Sequence, residues 1–125
     1  MCGFYGVLHK DPNKIASVNE LYNSSILARR GPDDAQEIQL NNFAAKFYRL
    51  SIIGGEKGKQ PIHIEKKILF FNGEIYNFKN FNNDAISDTK VLFEILKKEN
   101  FSLINSLQGM FAFVYWNEEK NKLVI

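Results

Sequence analysis

The sequence predicts an α+β fold, and three observations carry that expectation. Short apolar, aromatic-rich runs read as strands, two stretches repeat apolar residues at helical spacing, and Gly- and Pro-bearing segments separate them. With 125 residues, 45% hydrophobic and 14% aromatic, the chain is the size of one domain and can pack one core.

The elements follow in order. Cys2 to Leu8 (CGFYGVL) reads as a buried strand that places residue 2 inside the fold. Ser17-Val18-Asn19-Glu20 is a capping-box pattern, after which Val18, Leu21, Tyr22 and Ile26 predict a helix over about 18–29, stopped by Gly31-Pro32. Phe43 to Ile53 and Ile68 to Phe71 read as strands flanking a loop that holds Gly54-Gly55, Gly58 and Pro61. Ser87 is a fair N-cap for a second helix, with Asp88 in its first turn and Val91, Leu92, Ile95 and Leu96 on its apolar face, ending near Asn100. Met110 to Trp116 and Lys122 to Ile125 read as a hairpin around the charged tip Asn117 to Asn121. The chain stops on an apolar strand, so a C-terminally truncated domain is expected.

Charge and cysteine content narrow the function. Sixteen Lys and Arg against fourteen Asp and Glu, scattered without a basic run, argue against a nucleic-acid surface. No apolar stretch reaches the roughly 20 residues that span a bilayer. One cysteine makes no internal disulfide, and the first ten residues hold no signal-peptide core, so a cytoplasmic location is expected. His9 and His63 stand far apart and lack zinc-ligand spacing; no metal site is expected.

A cysteine at position 2 has an option that other cysteines lack. A small second residue generally allows removal of Met1, which leaves the thiol beside a free α-amine. Such amines titrate near about 7.7–8.0 and thiols near about 8.5, so near neutral pH the amine can take the thiol proton without a histidine. At an arbitrary position a lone cysteine is more often a small buried hydrophobe. A chain that keeps Met1 has its amine in a peptide bond and is expected to be an inactive precursor. An attacking cysteine needs donors for the oxyanion, and Asn72-Gly73 after a strand offers a side-chain amide and a backbone N–H, although Asn-Gly alone more often marks a plain turn. Arg49 at a strand end, Glu74 and Asp88 carry charges suited to the two ends of an α-amino acid; singly, each reads as surface.

Met1-Cys2-Gly3, Arg30-Gly31-Pro32-Asp33, Arg49-Leu50-Ser51-Ile52-Ile53, Gln60-Pro61, Asn72-Gly73-Glu74-Ile75-Tyr76-Asn77, Ser87-Asp88-Thr89 and Gly109-Met110-Phe111-Ala112-Phe113 occur in this order. Together they resemble the N-terminal, class II glutamine amidotransferase domain of glutamine-hydrolysing asparagine synthetases. The resemblance implies an N-terminal-nucleophile hydrolase fold, a four-layer αββα sandwich. It also implies that Cys2 attacks the glutamine side-chain amide while Asn72 and Gly73 stabilise the oxyanion. Arg49 would hold the substrate carboxylate, Glu74 and Asp88 its ammonium, and the backbone at Leu50 and Ile53 would complete the pocket. Arg30 to Asp33 would be a supporting loop, or merely a helix-stopping turn with a local ion pair.

The sequence departs from the family pattern at Gly54, commonly acidic, and Lys90, often Glu, and the Asn77 to Ser87 stretch is shorter than usual. The family continues into an arginine-rich strand and a synthetase domain with a nucleotide loop. ATP and Mg are therefore expected only on that absent domain, and no cofactor on this one. The implied partners are glutamine, a synthetase domain or subunit and, for the full-length protein, a second copy in a homodimer. Asparagine formation is the family default, while the ammonia acceptor itself is unreadable. An active glutaminase, a noncatalytic domain that docks a synthetase, and a truncated product without its own role are the competing readings.

Overall fold

The computed structural model describes residues 2–17, 26–51 and 58–125, which fall into two compact units, 1–50 and 51–125. The first unit is a three-stranded antiparallel sheet. Its strands are β1 (Gly3–Leu8), β2 (Asp34–Leu40) and β3 (Phe43–Arg49), in the order β1-β3-β2. β3 is the central strand: Tyr48 pairs with Gly3 on one edge and with Ala35 on the other. Phe43, Ala44, Ala45, Phe47 and Tyr48 are buried, so both faces of this central strand are covered. β2 alternates between partly buried and exposed residues, so its polar sequence DAQEIQL suits a strand with one wet face.

The second unit is a four-stranded antiparallel sheet in the order β4-β5-β6-β7, with β4 at Ile62–Ile64, β5 at Lys67–Ile75, β6 at Gly109–Asn117 and β7 at Lys122–Val124. Among the described residues one α-helix, α1 (Asp88–Lys97), lies against it. Ser87 Oγ caps α1 by accepting from the Lys90 N–H at 3.3 Å, and Asp88 places a negative charge in the first turn. Leu92, Phe93 and Leu96 of α1 meet Leu69, Phe71 and Ile75 of β5 and Phe113 and Tyr115 of β6 in one core. Side chains alternate along a strand, so Asn72 and Glu74 belong to the opposite face of β5 from this core.

The expected elements are largely present, with corrections at their ends and in β1, which was expected to be buried but exposes Tyr5, Gly6 and Leu8. The β3 strand stops at Arg49 rather than reaching Ile53, and Leu50 and Ser51 are irregular. β5 runs to Ile75 rather than Phe71, because β6 pairs with it along its whole length. The expected α1 ends at Lys97, where Lys98 closes the last turn through its N–H to Glu94 O at 3.2 Å. Asn117 is buried at the end of β6 instead of exposed in the hairpin tip, and its Oδ1 accepts from the Lys120 N–H. Of the helix expected over 18–29, residues 26–29 form a 3-10 turn, and 18–25 lie outside the described residues. Among the described residues no helix is long and apolar enough to cross a membrane.

Candidate active site

Cys2 lies immediately before β1 and is buried, as the sequence predicts for residue 2. Its Sγ accepts from the Leu50 N–H at 3.4 Å and lies 3.7 Å from Leu50 O. The pairing of β1 with β3 makes this contact: Gly3 faces Tyr48, so the residue before β1 falls beside the residues that follow Tyr48. Arg49, at the end of β3, is 6% exposed, and its carbonyl accepts from the Asp33 N–H at 3.0 Å.

The Arg30-Gly31-Pro32-Asp33 segment serves both residues. Arg30 Nε donates to Cys2 O at 3.3 Å. A Cβ on Gly31 would sit 2.3 Å from Tyr48 C and O, so only glycine lets the segment lie this close to β3. In the first unit the structure therefore assembles Cys2, Leu50 and Arg49 with Arg30 to Asp33 as a brace. The Arg30 contact is not evident from sequence spacing, since it needs the pairing of β1 and β3.

In the second unit Asn72, Gly73 and Glu74 lie inside β5, not in a turn after it, and pair with Ala112, Phe111 and Met110. The sequence reading places Asn72-Gly73 just after a strand; the pair lies within one instead, and the plain-turn alternative does not hold, because β6 supplies a partner for each residue. Gly73 has φ +136°, a backbone conformation that favours glycine, and it is exposed together with Glu74. Asn72 is half-buried, and its Oδ1 is buried without a hydrogen-bond partner among the described residues.

Asp88 stands at the start of α1 and is 7% exposed. Its Oδ2 accepts from the Ile75 N–H at 3.0 Å, and its Oδ1 from the Thr89 N–H at 2.7 Å and Thr89 Oγ1 at 3.3 Å. The helix start thereby meets the β5 edge one residue beyond Glu74. Ile53 lies outside the described residues. A groove of about 1190 Å³ between β4, residues 81–86 and α1 is lined by none of the expected site residues.

Among the described residues the chain is sheet-rich with few helices, and that architecture fits one class. Residues 1–125 match the family described as glutamine amidotransferase domain, and the chain belongs to that family. Within it, the chain is 35% identical to asparagine synthetase (glutamine-hydrolysing) 1 of Bacillus subtilis, over 98% of this chain and 22% of that protein. It is 31% identical to a probable glutamine-hydrolysing asparagine synthetase of Schizosaccharomyces pombe, over 99% of this chain and 24% of that protein. With asparagine synthetase B of Escherichia coli it shares 29%, over 100% of this chain and 24% of that protein. The chain spans about a quarter of the length of these curated relatives.

Proposed function

We propose that this chain hydrolyses the side-chain amide of glutamine, with Cys2 as an N-terminal nucleophile. The observation that carries the reading is Cys2 itself: in a glutamine amidotransferase domain, the single cysteine is at residue 2, buried, and held at Leu50 beside Arg49. Once Met1 is removed, the α-amine takes the thiol proton, and the thiolate adds to the amide carbon. The Asn72 side-chain amide and the Gly73 N–H stabilise the oxyanion, a contribution worth about 100- to 1,000-fold per donor. The ammonium returns its proton to the leaving nitrogen, the C–N bond breaks and ammonia departs. Water, deprotonated by the amine, then attacks the thioester, the C–S bond breaks, and glutamate leaves with the thiol restored.

Arg49 holds the substrate carboxylate, Glu74 and Asp88 the ammonium, and the backbone of Leu50 and Ile53 closes the pocket. Both Asp88 oxygens already accept backbone N–H groups, yet a carboxylate offers about four lone-pair sites and so retains capacity for an ammonium. The fold class that goes with this reading is the αββα N-terminal-nucleophile sandwich, working in the reducing cytoplasm. The ammonia serves an ATP-dependent amidation, most simply of aspartate to asparagine, on a synthetase domain or subunit that carries ATP and Mg. That assignment draws on the relatives named above, of which this chain covers the smaller part.

The test is glutamate release from glutamine by the Met1-free chain, beside Cys2→Ala and a Met1-retaining form. Activity in the first and loss in both others is expected. A correctly processed, folded chain that releases no glutamate, or a Cys2→Ala variant that still does, overturns the reading.

A further inference from the structure

We propose that Asn77, which plays no part in the chemistry above, is a positioning residue that holds the Asn72-Gly73-Glu74 strip in register; the inference rests on the glutaminase reading. The strip occupies the weaker half of β5. β4 pairs only with Lys67 to Leu69, so among the described residues Phe70 to Ile75 has a strand on one edge alone, β6. Whatever fixes the start of β6 therefore fixes the strip.

Three hydrogen bonds do so, and Asn77 makes two of them. Tyr76 N–H donates to Gln108 O at 2.7 Å. Asn77 Oδ1 accepts from the Gln108 N–H at 2.8 Å, and Asn77 Nδ2 donates to Ser106 O at 2.9 Å. The planar side-chain amide thus acts as a peptide-like donor and acceptor pair that continues the β5 and β6 ladder past Ile75. A carboxylate lacks the donor and an alanine lacks both.

A shift at 106–108 reaches the strip directly. The next residue, Gly109, pairs with Ile75, and a Cβ built on it would lie 2.0 Å from Glu74 O, so there is no slack between the start of β6 and Glu74. Glu74 adjoins Gly73, whose N–H is assigned to the oxyanion. Displacement of a catalytic group by about 1 Å can cost on the order of 100-fold in rate.

The experiment compares Asn77→Ala with the parent chain, using Ser102→Ala as a control. Ser102 Oγ donates to Asn100 Oδ1 at 2.9 Å and makes none of the three hydrogen bonds to 106–108 named above. Asn77→Ala is expected to lower kcat for glutamine about 10- to 100-fold, with KM changed less than about threefold. Amide exchange at Glu74 and Tyr76 should speed up at least about tenfold while Leu69 stays unchanged. Ser102→Ala should match the parent. Unchanged exchange at Glu74, or faster exchange with an unchanged kcat, overturns the inference. A parent chain that releases no glutamate sinks the glutaminase reading instead, and the exchange data still decide whether Asn77 braces β5.

Discussion

In the first unit β3, which ends in Arg49, has a strand along both edges, whereas in the second unit, among the described residues, β5 is paired on both edges only over Lys67 to Leu69. The two strands consequently hold the ends that carry the proposed site residues by different means. Beyond β3, Leu50 meets Cys2 through its main chain, Asp33 N–H meets Arg49 O, and Gly31 lies flat on the Tyr48 carbonyl. At the end of β5, side chains do the bracing: Asp88 on the Ile75 N–H and Asn77 on 106–108. Backbone proximity is insensitive to most side-chain changes but intolerant of an added Cβ. Side-chain braces and an apolar core respond in the opposite way.

That contrast ranks substitutions by expected effect. Phe93 is 2% exposed and packs edge-on against Tyr115 with ring centroids 6.2 Å apart, in the core that carries β5 and β6. Phe93→Ala should cost about 3–5 kcal/mol of stability, read from the urea midpoint. Gly31→Ala should cost less, about 1–3 kcal/mol, because the new Cβ forces the brace away from Tyr48. Faster amide exchange at Tyr48 and Arg49 should accompany the loss. If Phe93→Ala proves the milder of the two, the ranking of core over close approach is wrong.

Tyr115→Phe should have the smallest effect. The Tyr115 hydroxyl is buried without a hydrogen-bond partner among the described residues, so its removal should be neutral or stabilising, within about 1 kcal/mol. Burial also pushes the Tyr115 phenol above its ordinary value of 10.0. A folded-state value above the unfolded one means that this contribution is fully present below pH 10 and is lost as pH rises through the folded value. Melts of parent and Tyr115→Phe should therefore converge below that range and separate above it, with the Phe variant the more alkali-resistant. Parallel curves throughout would show that the phenol is not desolvated.

Much of the fold was legible because its signals are local. Ser87 capping α1, the apolar spacing of Val91, Leu92, Ile95 and Leu96, and the aromatic runs of β1, β3 and β6 declare themselves within a few residues. β2 and β4 were missed for the opposite reason. The sequence DAQEIQL is polar enough to pass for a loop, and Ile62–Ile64 is too short to show alternation; each becomes a strand through a distant partner, β3 or β5. The extension of β5 through Asn72-Gly73 was missed for the same reason, since β6 lies more than thirty residues away in sequence. Asn77 was visible only as the last residue of a motif.

By itself the sequence determined the class of protein: an ordered set of short motifs, with a cysteine at residue 2 and Asn-Gly, Arg and acidic residues at set positions along the chain. Residue type and order decide which chemistry is available, because nucleophilicity, charge and hydrogen-bonding capacity belong to the side chain. The tertiary structure alone decided how those residues are held. Arg30 on the Cys2 carbonyl, Asp88 on the Ile75 N–H and Asn77 across Ser106 and Gln108 all join residues separated by 13 to 31 positions. No local pattern specifies such contacts, because they exist only after strand pairing and core packing have brought distant backbone groups within hydrogen-bonding range.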